Sequence, residues 1–323
     1  MHSREFRTAR LAVLFFSLWH FGAMGHSLAQ DGANRSNGPG QQADGRFQAF
    51  VKQPNFPLGS GPTVGIDEAH CNFHTLHGRY EPFAKVLAAD GYNLQSVKQV
   101  FTPEVLAPLD VLVVANALAP KNERDWSLPT PSAFSENEID AVKEWVDAGG
   151  ALMLIADHMP FPGAAHDLAA KFGLQLYNGF VFDKVEKSPM RFGETGHKLC
   201  EHDIVKGPGK PVRWVQTFTG SCFTGGKAFS PLFVLGAGAY SLEPAVAWQF
   251  SAETPRREVK GFWQAAVREC GVGRMAMFGE AAMFTAQQNG GARSFGLNHP
   301  DAEYNQRFLR NTMYWLCNRA STN

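Results

Sequence analysis

The chain has 323 residues, 44% of them hydrophobic, which is room for one large domain or two small ones around a substantial core. Its 30 basic and 30 acidic side chains cancel. No long-range field draws nucleic acid or an anionic membrane surface, which argues against a nucleic-acid partner.

The first elements concern targeting. Arg4, Arg7 and Arg10 make a positive start, "LAVLFFSLWHFGAM" is an apolar core, and Ser27 and Ala29 are the small pair before a cleavage point. That run is about 14 residues, short of the roughly 20 needed to span a bilayer. Residues 1–29 therefore read as a cleavable signal peptide, delivering a periplasmic or secreted protein with no stable membrane span after cleavage. Residues 30–61 begin with "DGANRSNGPGQQADGR", which has almost nothing to bury and reads as a flexible leader. Structure is expected from near Pro62, with a single domain over 62–318. Export exposes five cysteines to an oxidising space, with Cys200 and Cys222 the pair to expect and Cys270 and Cys317 buried thiols.

From Pro62 strand and helix signals alternate. "TVGIDEA" is a continuous apolar run turning acidic. "YEPFAKVLAADGY" places Phe83, Val86 and Leu87 on one helical face, with Gly91 at its end. "DVLVVANAL" is a strand buried on both faces. Ser135 with Glu138 three residues on makes a capping box, and Phe134 with Ile139 a hydrophobic staple. Ile139, Val142, Trp145 and Val146 form that helix's inward stripe. "ALMLIADH" is a third buried strand, and "AAHDLAAKFG" a short helix ending in glycine. This alternation predicts an α/β fold, a doubly wound, mostly parallel sheet with helices on both faces, of flavodoxin-like type.

The second half predicts strands in "VRWVQTFTG", "SPLFVLG", "AVAWQF" and "GRMAMFGEAAMF", some antiparallel at one edge, then a last helix in "AEYNQRFLRNTMYWLC". The segment 119–134 is too long for an ordinary turn and is a candidate lid. "GSCFTGGK" departs from a phosphate loop, with Ala228 in place of Ser or Thr, and reads as a turn.

The order of "DEAH", "YEPFAKVLAADGY", "DVLVVANAL", "EIDAVKEWVDAGGALMLIADHMPF" and "NQRFLRNTMYWL" resembles the class I glutamine amidotransferase-like superfamily, near its trehalose-utilisation-like and gliding-motility-associated domains. The resemblance covers roughly 62–318. It implies the doubly wound fold and leaves the reaction open. Amidotransferase members carry a cysteine nucleophile on a tight turn after a central strand. Here the matching turn is "IADHMPF", without cysteine, so that mechanism of glutamine hydrolysis is not expected.

In such a sheet ligands bind beyond the carboxyl ends of the strands. Asp67, Glu68, His70, Asp157 and His158 stand there as candidate catalytic residues, with Asn116, Trp126, Phe161 and Glu280 as candidate substrate contacts. A divalent metal ion, if one binds, would take His70, His158, Asp67 and Asp157. Structural roles compete: Asp157 as a helix cap, His70 and His158 as donors to carbonyls, Glu68 as a partner of Arg79. A nucleophilic Cys71 activated by His70 is disfavoured, because neighbours on an extended chain point apart. His74 and His77 read as rim loop residues. The expectation is a hydrolase-like enzyme acting on a small polar or carbohydrate ligand; the alternative is a non-catalytic ligand-binding or scaffold module. Mass spectrometry of the exported protein should find a mature amino terminus at Gln30; a chain keeping Met1 would contradict the targeting assignment.

Overall fold

The computed structural model describes residues 41–185, 189–207, 210–289 and 293–317; the predicted signal peptide lies outside them. The parallel unit begins with β1 (Thr63–Asp67), α1 (Glu81–Ala89), β2 (Asn93–Val97) and β3 (Val111–Ala115). It continues through α2 (Glu136–Asp147), β4 (Ala151–Ile155), β6 (Gly273–Phe278) and α3 (Asn305–Cys317), with the antiparallel β5 (Trp263–Cys270) entering before β6. The parallel strands lie in the order β2-β1-β3-β4-β6. This is the flavodoxin-like arrangement, whose strand order reverses between β1 and β3 and opens a crevice at their carboxyl ends.

Alternate side chains of the central strands feed two cores. Val64, Ile66, Val113, Met153 and Ile155 meet α1 and α3 on one face. Leu112, Val114, Leu152 and Leu154 meet Ile139, Val142 and Val146 of α2 on the other. Phe83, Val86 and Leu87 of α1 are fully buried, each stabilising by about 1.5–3 kcal/mol relative to exposure. The capping box forms as expected: the Ser135 hydroxyl accepts from the Glu138 N–H, and the Glu138 carboxylate accepts from the Ser135 N–H.

The antiparallel part is larger than an edge. β5 pairs antiparallel with β6, and Ser230–Val234, His197–Leu199, Met190–Gly193 and Val215–Thr217 extend the sheet beyond it. The eight-residue β5 went unread because its Ala265 and Ala266 are weak strand formers held by burial on both faces. "AVAWQF" is not a strand: Val246 makes one isolated bridge to Ser127, and Trp248 turns the chain with a φ of 65°. Cys200 and Cys222 are both free thiols, Cys222 sealed in a strand that pairs with Leu174–Tyr177, so the expected disulfide is absent. Among the described residues no helix is long and apolar enough to cross a membrane.

The described part of the leader is fixed rather than flexible. Gln41–Ala43 pairs with Ala286–Asn289, and Arg310 and Gln306 of α3 donate to the carbonyls of Gln53 and Phe50. Buried Asp90, after α1, accepts from the Asn55 backbone at 2.8 Å and from Arg310 at 2.7 Å. Polar leader residues are thus satisfied by the body of the protein, a gain that composition alone does not display. Gly91 adopts a φ of 94°, and a Cβ there would run into the Phe56 carbonyl. Gly91→Ala should cost about 2 kcal/mol or more. Thermal unfolding should show Tm lower by roughly 4 °C or more; an unchanged Tm would contradict this packing.

Candidate functional site

The position of each rim residue follows from strand register. Ala115 lies opposite Ile155, and Ile155 opposite Phe278. Side chains alternate between faces with a period of two. Asp157 and Glu280, each two residues past that row, therefore fall on one face, the α1/α3 side. On β1, Ile66 lies opposite Val113 and shares that face. Asp67 follows it and so points the other way, toward α2.

Asp67 is fully buried and joins a chain of three groups. His70 Nδ1 lies 2.9 Å from Asp67 Oδ1, and His70 Nε2 lies 2.8 Å from Glu138 Oε1. The ring sits between Phe101 and Phe134. Burial works against a charged ring, but the hydrogen bonds and charges of Asp67 and Glu138 outweigh it and hold the His70 pKa above the ordinary value. Both ring nitrogens thus face a carboxylate, and His70 ties the end of β1 to the capping box of α2. Glu68 accepts from the Leu76 N–H and the Ser96 hydroxyl, each at 2.9 Å. These three expected catalytic residues bind the framework together.

A second cluster forms on the other face. Asn116, in the left-handed region at a φ of 52°, accepts from the Asp157 N–H at 2.9 Å through its Oδ1. Its Nδ2 then faces His74 Nδ1 at 3.1 Å, so that nitrogen accepts and the His74 proton lies on Nε2. Burial, reinforced by Arg79 and His158, depresses the His74 pKa well below its ordinary value. Glu280 is fully buried and accepts from the N–H groups of Ala282 and Met283 at 2.9 and 2.7 Å. Asp157 accepts from the His158 N–H at 2.8 Å and the Ala281 N–H at 3.4 Å. Burial raises both carboxyls, and Asp157 pushes Glu280 further up. Like charge and burial thus act together against ionising both carboxyls, Glu280 the more strongly. Tyr80 closes the back, its hydroxyl donating to the Ala281 carbonyl at 3.3 Å.

His158, next along the chain, is half-buried. Its Nδ1 donates to the Met159 carbonyl at 2.7 Å. Burial lowers its pKa against the opposing pull of Asp157 and that carbonyl, so the ring is neutral and Nε2 carries the lone pair. Phe180 stacks on the ring at 4.6 Å, Trp248 meets it edge-on at 4.7 Å, and Phe161 and Trp126 lie against it at 5.7 and 6.0 Å.

The expected nine residues thus divide. Asn116, Trp126, Asp157, His158, Phe161 and Glu280 converge; Asp67, Glu68 and His70 do not join them. Asp67, His70, Asp157 and His158 do not form one ligand set, and among the described residues no three His, Cys, Asp or Glu side chains gather as a metal site. His74, expected on the rim, is buried in the cluster. Tyr80, Phe180 and Trp248 were missed. The stretch "DEAHCNFHTLHG" supplied a signal for His74, and nothing in sequence distinguishes Phe180 or Trp248 from packing residues. Burial and Glu123 raise the Cys71 thiol, which removes any activated nucleophile at that position.

No family model and no curated protein matches the chain. Among solved structures the mmIFT52 N-terminal domain aligns with a TM-score of 0.58 at 14% identity, covering 80% of this chain and 99% of that one. A protein from Bacteroides uniformis described as ThuA-like gives 0.43 at 13% identity, over 84% of this chain and 95% of that one. The cytoplasmic protein STM1381 from Salmonella typhimurium LT2 gives 0.46 at 13% identity, over 79% and 98%. The first shares the fold; at such identities nothing about activity carries across, and the two lower scores carry no argument.

His70→Gln would leave two buried carboxylates without their cation and should cost about 3 kcal/mol. Because the His70 pKa is raised on folding, its stabilisation is complete below about pH 6.5 and is lost as pH rises through the folded value. Denaturant titrations across pH should show that decline in the wild type and not in His70→Gln; identical pH profiles would contradict the bridge.

Proposed function

We propose that the protein takes a small polar ligand, carbohydrate in type, into the recess around His158 and hydrolyses it with His158 as general base. The observation that carries this reading is a half-buried imidazole with a lowered pKa, its Nδ1 fixed by a carbonyl and its ring surrounded by aromatic side chains. A water held between Nε2 and the ligand would pass its proton to the ring as it attacks. Asp157 favours the imidazolium that results, since its charge already pulls the ring's pKa upward. His158 then returns the proton to the leaving oxygen. Asn116 holds the turn by accepting from the Asp157 backbone. The apolar faces of a sugar ring suit the indole and phenyl walls. In this reading the protein is an exported member of the amidotransferase-like superfamily in which Asp157 and His158 occupy the turn of the missing cysteine.

A second reading is recognition without turnover. It is favoured by the carboxyls of Asp157 and Glu280, which are engaged by backbone donors, and by the Ser221 hydroxyl, which donates to the Ala156 carbonyl at 2.8 Å. Saturable binding with no product would select it.

A panel of chromogenic glycosides and esters tests the hydrolytic reading. His158→Ala should lose about 100-fold or more in kcat/KM on any substrate turned over. Because the His158 pKa is lowered, the acidic limb of the wild-type rate profile should lie below about pH 6.5. Turnover unchanged in His158→Ala would overturn the assignment.

A further inference from the structure

Two of the rings packed around His158 carry donors that the protein does not use. The indole N–H groups of Trp126 and Trp248 are buried and have no acceptor among the described residues. A buried donor left unpaired costs about 1–3 kcal/mol, so two beside one half-buried imidazole need an explanation. Trp248 also sits in the left-handed region, at a φ of 65°, where a bulky side chain is strained. That conformation delivers its ring edge-on against His158.

The two tryptophans are mechanically joined. Ala247 N–H donates to the Trp126 carbonyl and Leu128 N–H to the Ala245 carbonyl, both at 2.9 Å, and Ser127 bridges Val246. The segment 119–134 is therefore pinned to residues 245–248. Asn122 braces the segment internally, donating to the carbonyls of Asp125 and Ser127. The two rings are thereby held against the same imidazole, Trp126 at 6.0 Å and Trp248 at 4.7 Å.

We infer that Trp126 and Trp248 form a donor pair that selects an uncharged, oxygen-rich ligand and sets it against His158. This rests on the ligand-site reading above and adds the chemistry of selection. Two N–H donors call for oxygen acceptors, and they disfavour an organic cation despite the aromatic walls. An anion is disfavoured too, because the charge that bears on His158 is the Asp157 carboxylate. Ether, hydroxyl and carbonyl oxygens on a neutral ring or chain remain.

The test is an NMR titration of the wild-type protein, watching the assigned indole N–H signals of Trp126 and Trp248. The probes are methyl β-D-glucopyranoside, methyl β-D-glucuronide and choline. The neutral glycoside should move both signals saturably and more than either charged probe does. Trp126→Phe and Trp248→Phe, which keep an aromatic ring and lose the donor, should each weaken its binding by roughly fivefold. Indole signals unmoved by the neutral probe, or a larger response to the glucuronide or choline, would overturn the proposal. If the signals move as expected while His158→Ala keeps full turnover, the donor pair stands and the general-base reading fails.

Discussion

Parallel register decides which acids meet. β3, β4 and β6 run side by side with Ala115, Ile155 and Phe278 in one row. Their extensions leave the sheet at one edge, where side-chain alternation places Asp157 and Glu280 on a common face. β1 breaks step, its Asp67 following Ile66 onto the opposite face. One residue of parity thus separates a structural bridge from a candidate chemical site. Shifting the register of β1 by one would exchange the two environments and unseat every apolar side chain on that strand.

The two faces do different work. Toward α2, Asp67, His70 and Glu138 meet with each nitrogen and its carboxylate engaged, which suits a post rather than a catalyst. Around Asp157, burial replaces pairing: it disfavours charge on His74 and His158 and raises the carboxyls of Asp157 and Glu280. Protonation states that stay uncommitted near neutrality are what proton transfer needs. The same contrast holds at the far end of α1, where Asp90 is buried but fully engaged by Asn55 and Arg310 and serves to hold the leader.

Much of the parallel half was legible in sequence. Continuous apolar runs named β1, β3 and β4, and Ser135 with Glu138 marked the start of α2 to the residue. The candidate rim was legible as a location, since all the named acids and histidines do end strands. What sequence does not encode directly is the relative register of strands distant along the chain, so "VGIDEAH" and "ALMLIADH" looked like contributors to one cleft. Trp248 was read as part of a strand because "AVAWQF" has the right composition; its left-handed backbone is imposed by the pairing of residues 245–247 with the loop bearing Trp126. β5 escaped for the opposite reason, its alanines taking strand geometry from neighbours on both sides.

The separation of the two faces can be measured through the histidines themselves. NMR titration of the His70 and His158 ring protons should place His70 above and His158 below the ordinary value near 6.5. Asp157→Asn should lower His158 further and leave His70 in place, while Asp67→Asn should lower His70 and leave His158 in place. A His158 that responds to Asp67→Asn as strongly as to Asp157→Asn would mean that these groups share one cleft, and the account of two faces would be wrong.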